Sequence, residues 1–130
     1  MVSTLVVTHG EVAKHLIEAA EQIIGKSDSV GHFCVDWDQD LESAKEQLKK
    51  LIAEVDRGEG VLLLTDIFGG TPTNIALTYH KPHHVEVVTG VNLPMIVKAM
   101  TLPSGISVSD AGRQLRNQAQ KSIYIASELL

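Results

Sequence analysis

GVLLLTDIFGGTP, residues 60–72, carries the reading on which the fold turns. Gly60 to Thr65 is a short, nearly unbroken apolar run, the pattern of a strand covered on both faces. Asp66 to Gly70 is a turn with two glycines. Thr71-Pro72 then opens a helix, since Thr can cap it and Pro suits the first helical position. A central strand, a tight turn and a helix in immediate succession form one unit of an alternating α/β chain.

The same alternation extends in both directions. Downstream, Val85 to Thr89 reads as a strand, and Asn92 caps a helix carrying Leu93, Ile96, Val97 and Met100. A weaker helical pattern runs from Ser107 to Gln120. Upstream, Leu41, Ala44, Leu48, Leu51, Ile52 and Val55 mark an amphipathic helix, with Lys45, Lys49 and Lys50 on its solvated side. Val30 to Asp36 is a strand. Val12, Leu16, Ala20, Ile23 and Ile24 form a helical stripe that stops at Gly25, and Val2 to Thr8 is a second strand covered on both faces. The expectation is one domain over residues 1–130: a doubly wound, mostly parallel sheet of order 2-1-3-4 with helices on both faces. Ser122 to Ala126 (SIYIA) is the exception, expected as a short last strand that pairs antiparallel at an edge or crosses to another subunit.

Composition narrows the function. Of 130 residues, 44% are hydrophobic and 21% charged, which is ordinary for a globular domain. A formal net charge of −5 with no cluster of Lys and Arg argues against nucleic-acid binding. The single cysteine, Cys34, rules out an intramolecular disulfide and a cysteine-rich metal site. No segment reads as a leader or a membrane span, so a cytoplasmic protein is expected.

Chemistry concentrates at two strand ends. In open α/β sheets, ligands bind beyond the carboxyl ends of the strands. His9 follows the first strand and Asp66 the third, and the order 2-1-3-4 makes those strands neighbours. A carboxylate that accepts from one ring nitrogen fixes the tautomer and leaves the other nitrogen's lone pair facing outward. Gly69-Gly70 permits a tight loop whose N–H groups can turn toward an anion, and helices start beside both corners. Gly69-Gly70, with a hydroxyl from Thr71, thus form a candidate phosphate site around a candidate nucleophile, His9, with Asp66 as its partner. Taken singly, each element has a structural explanation: a strand-end His, a capping Asp, a helix-starting Thr-Pro, a common Gly-Gly. Their combination points to a phosphoryl group carried on histidine.

The other histidines lack such company. His80, His83 and His84 surround Pro82 in a polar connection, with no carboxylate pair to complete a metal site. His15 and His32 read as ordinary helix and strand residues. Trp37, between Asp36 and Asp38, is a candidate pocket rim or partner contact.

VTHG at 7–10, TDIFGGTPTN at 65–74 and TGVNLPM at 89–95 resemble enzyme IIA of the mannose family, a component of the bacterial phosphoenolpyruvate-dependent sugar phosphotransferase system (PTS). The likeness runs through almost the whole chain. It implies a phosphotransferase in which phospho-HPr donates a phosphoryl group to Nε2 of His9 and a IIB component accepts it, Asp66 holding Nδ1–H and the loop of Phe68, Gly69, Gly70 and Thr71 surrounding the phosphate. It implies no cofactor and no metal for this step. It also implies a homodimer in which Ser122 to Ala126 crosses to the partner's sheet, and it gives Asn92 and Pro94 a part in shaping the rim. With the chain ending at Leu130, the acceptor is expected to be a separate protein.

Two related folds fit less well. A receiver domain requires an acidic pair after the first strand, where this chain has Thr8-His9. The phosphotransfer subunit of dihydroxyacetone kinase shares a strand-one histidine, but FGGTP is the wrong loop for it. A regulatory module, phosphorylated on His9 and docking on a sensor or regulator, would use the same face.

Overall fold

β-Branched and leucine runs form the strands, and helices with one apolar stripe connect them. The computed structural model describes residues 1–130. In chain order the elements are β1 (Ser3–His9), α1 (Val12–Ile24), β2 (Val30–Val35), α2 (Leu41–Val55), β3 (Val61–Thr65), α3 (Thr71–Leu77), β4 (Val85–Thr89), α4 (Leu93–Met100), α5 (Val108–Lys121) and α6 (Ala126–Leu129). The four strands lie in the order β2-β1-β3-β4, and every pairing is parallel. The expected strand order and helix placement are both present.

Alternation along the strands assigns two apolar layers. Val6, Leu62 and Leu64 face Ile17, Met95, Ile96 and Leu115 of α1, α4 and α5. Leu5, Val7 and Leu63 face the other way, onto Ala44, Leu48, Ile75 and Ala76 of α2 and α3. All five residues of β3 are fully buried, whereas all five of β4 are only partly covered, as befits a central and an edge strand. Each fully buried leucine of β3 contributes about 1.5–3 kcal/mol by leaving water.

Register places the functional corner. Val7 of β1 pairs with Thr65 of β3, and His9 pairs with Val35 of β2. β1 therefore runs past the end of β3, so that His9 stands beside Asp66, the residue with which the chain leaves β3.

Of the two pairings expected for the last strand, the one at an edge of the chain's own sheet does not form. Ser122 to Ala126 does not form a strand within the chain, and the four-stranded sheet is parallel throughout. Ile123, Tyr124 and Ile125 are exposed, and α6 follows them directly. Their β propensity has no expression here because a strand needs a pairing partner, and no strand of the same chain supplies one.

Candidate phosphoryl site

Local hydrogen bonds hold each end of the corner. The Thr8 hydroxyl accepts the Ala13 N–H at 2.7 Å, which ties β1 to the first turn of α1. The Gly10 N–H donates to the Val35 carbonyl at 2.9 Å, extending the β1–β2 pairing beyond His9. His9 is thus carried on rigid backbone on both sides.

Asp66 meets it from β3. One carboxylate oxygen, Oδ2, accepts the His9 main-chain N–H at 2.9 Å and lies 2.8 Å from His9 Nδ1. The other, Oδ1, accepts the Ile67 N–H at 2.9 Å. An ionised carboxylate only accepts, so Nδ1 carries the hydrogen and Nε2 keeps its lone pair. The pair is accessible without being open: the side chains are 24% and 19% exposed.

The loop after Asp66 closes on the ring. A Cβ added at Gly70 would stand 2.6 Å from His9 Cε1 and 3.1 Å from Nε2, so only glycine allows this approach. Thr73, fully buried, shapes the loop from below: its hydroxyl donates to the Ile67 carbonyl at 2.6 Å and lies 2.7 Å from the Thr65 hydroxyl. Phe68 and Ile67 point outward and are exposed. A second aromatic reaches the site from the loop after β2. Trp37 stacks on the His9 imidazole, with ring centroids 5.1 Å apart and planes inclined by 22°.

Of the expected residues, His9, Asp66 and Gly70 meet, and the expected helix start needs one correction. Thr71 does not cap α3. Gly70 occupies the flanking position in extended conformation, and Thr71 is the first helical residue, followed by Pro72. The reason is the contact with His9: the chain turns into the helix at Gly70, whose carbonyl accepts the Asn74 N–H at 2.9 Å. Asn92 does cap its helix, accepting the Met95 N–H at 3.0 Å, and its amide donates to the Ala119 carbonyl at 3.2 Å. It joins α4 to α5. His15 lies between Glu11 and Glu18 on the surface, and His80 faces Glu86 at 3.5 Å. No group of three or more His, Cys, Asp or Glu is placed to hold a metal ion, and no helix is long and apolar enough to cross a membrane.

Thr73 and the stacked role of Trp37 were not visible in the sequence. A Thr in a first helical turn and a Trp in a loop carry no spacing that ties them to a histidine far away in the chain.

A family model described as PTS system fructose IIA component (EIIA-man) matches residues 3–115. The chain belongs to this family. The match takes in β1, the Asp66–Thr71 loop and Asn92, and ends within α5. Among EIIA relatives, the chain is similar to the mannose-specific EIIAB component of Escherichia coli (strain K12), 34% identical over 101 residues, 76% of this chain and 31% of that protein. It thus spans under a third of that relative's length. It is similar along its whole length to the fructose-specific EIIA component of Bacillus subtilis (strain 168), 26% identical over 131 residues and 90% of that protein. The crystal structure of the PTS IIA protein associated with the fucose utilization operon of Streptococcus pneumoniae superposes with a TM-score of 0.86 at 26% identity, covering 98% of this chain and 95% of that one.

In this EIIA chain the charge state of Asp66 follows from its contacts. Burial alone would raise its pKa, but the His9 main-chain N–H, the His9 ring with its charge and the Ile67 N–H together outweigh burial, and the carboxyl titrates below its ordinary 3.8. A group depressed on folding stabilises the protein above its unfolded pKa, and that contribution is lost as the pH falls through the lower folded value. The stability margin of the wild-type protein over Asp66→Asn, measured by urea unfolding, is therefore expected to shrink below about pH 4. A margin that holds unchanged down to pH 2 overturns this account of the carboxylate.

Proposed function

We propose that the chain is a phosphocarrier of PTS sugar uptake, accepting a phosphoryl group from phospho-HPr on His9 and passing it to a IIB component. The observation that carries this reading is the 2.8 Å contact between His9 Nδ1 and Asp66, which leaves Nε2 as the free nucleophile beside a glycine loop. In the forward step the donor's N–P bond breaks, and its electron pair returns to the donor imidazole. The Nε2 lone pair forms the new N–P bond, while the hydrogen stays on Nδ1 and is donated to Asp66, whose negative charge offsets the positive charge the ring acquires. The transferring group is loose and metaphosphate-like, so positioning and charge stabilisation supply the catalysis. Main-chain N–H groups from Phe68, Gly69, Gly70 and Thr71 surround its oxygens.

The protein works in the cytoplasm as a homodimer, residues 1–130 forming one carrier domain. The open edge of β4 supports the pairing. Beside it lies a groove of about 620 Å³ lined by Glu86, Val88, Thr89, Gly112 and Arg116; in this reading the Ser122 to Ala126 segment of a second copy adds to the β4 edge as a strand. Light scattering is expected to return twice the 14.1 kDa chain mass; a monomer overturns the exchange.

The phosphocarrier reading is tested with purified components. Phosphoenolpyruvate, enzyme I and HPr are expected to place one acid-labile phosphate on each chain, and omission of HPr to prevent it. A chain that stays unlabelled in the complete mixture overturns the proposal. Release of that label to an added IIB component, but not to a sensor or regulator, separates the carrier role from a regulatory one.

A further inference from the structure

We propose that Trp37 is a positioning residue for His9: its indole fixes the plane in which Nε2 presents its lone pair and favours the charge the ring takes on when phosphorylated. The geometry stands by itself; the role in transfer rests on the phosphocarrier reading. Indole and imidazole are 5.1 Å apart and nearly parallel, yet Trp37 is 81% exposed. A tryptophan so exposed adds little to the core, so its position calls for another reason. The turn after β1 accommodates it: a Cβ at Gly10 would stand 3.2 Å from the indole Nε1.

His9 is thereby bounded on three sides. Asp66 holds Nδ1, Gly70 meets the Cε1 edge and Trp37 covers a face. The Asp66 hydrogen bond decides which nitrogen is free, but one hydrogen bond leaves a ring able to rock about it. The indole restricts that rocking. Once Nε2 has given its lone pair to phosphorus and Nδ1 has kept its hydrogen, the ring is cationic. A π face within about 6 Å of a cation attracts it, an effect worth about two- to fivefold in an equilibrium at an exposed site.

Four variants and a spectroscopic signal test this. Trp37→Leu is expected to accept phosphate from phospho-HPr at least about threefold more slowly, with Trp37→Phe restoring most of the rate. Trp37 is the only tryptophan, so emission at 295 nm excitation reports on this site alone. Its titratable neighbours are His9 together with Glu11, His15 and Asp36, which line the adjoining recess. Lowering the pH until the imidazole is protonated is expected to quench the emission; His9→Gln removes that quench and His15→Gln keeps it. If labelling proceeds and Trp37→Leu matches the wild type, the positioning role is overturned while the carrier reading stands. A quench that survives His9→Gln overturns the stacking. If the wild type takes no label, the carrier reading fails, and the quench still decides whether the rings are stacked in solution.

Discussion

A His9→Ala variant is expected to take up no phosphate from phosphoenolpyruvate, enzyme I and HPr while keeping the wild-type fold. The substitution deletes the only nitrogen that is both free of partners and seated against the glycine loop. It does not orphan Asp66, because the main-chain N–H groups of residue 9 and Ile67 still donate to the carboxylate, each at 2.9 Å in the present structure. The fold cost is one side-chain hydrogen bond of a partly exposed group, about 1 kcal/mol. Of the other histidines, His15 sits between two glutamates and His80 faces a third, so neither reproduces the setting of His9. Circular dichroism and urea unfolding verify the fold, and mass spectrometry under alkaline conditions reads the label. Label at the wild-type level in this variant reassigns the nucleophile.

The legible parts of this protein were those in which chemistry and local sequence coincide. GVLLLT announces a buried strand because nothing polar interrupts it, and β3 is indeed buried at every position. The pairing of His9 with Asp66 was inferred from strand order alone; the parallel register of Val7 on Thr65 is what makes it a 2.8 Å contact. Register follows from which residues each face of the paired strands must bury, so it emerges only when the strands are set side by side. Trp37 shows the limit from the other side, since its place over His9 depends on where the loop after β2 ends relative to β1. Thr71 was misplaced by one residue for a related reason: Thr-Pro signals a helix start, but contact between Gly70 and the imidazole sets where the chain turns. SIYIA has the composition of a strand without a partner in its own chain, and composition cannot supply the partner.

Gly70→Ala is expected to slow phosphoryl acceptance by about 10²-fold while costing the fold no more than about 1–3 kcal/mol. Gly70 has φ −87 and ψ 168, a conformation open to any residue, so the backbone does not resist the change. Space does. The new Cβ lies 2.6 Å from His9 Cε1, 3.1 Å from Nε2 and 3.3 Å from Ile67 Cγ2, against an ordinary carbon contact of about 3.5–4.0 Å. Ile67 is exposed and can swing away. The imidazole cannot yield so easily, because Asp66 holds Nδ1 and Trp37 covers a face, so relief comes from a shift of roughly 1 Å in the atom that must attack phosphorus. Gly69→Ala gives the opposite pattern. Nothing lies within 4 Å of its added Cβ, but its φ of 93 is strained for any L residue, so more of its effect falls on stability and less on transfer than at Gly70. Single-turnover labelling and urea unfolding of both variants separate the two. Gly70→Ala transferring at the wild-type rate means that the ring does not react from its seat against this glycine, which removes the loop from the account of positioning.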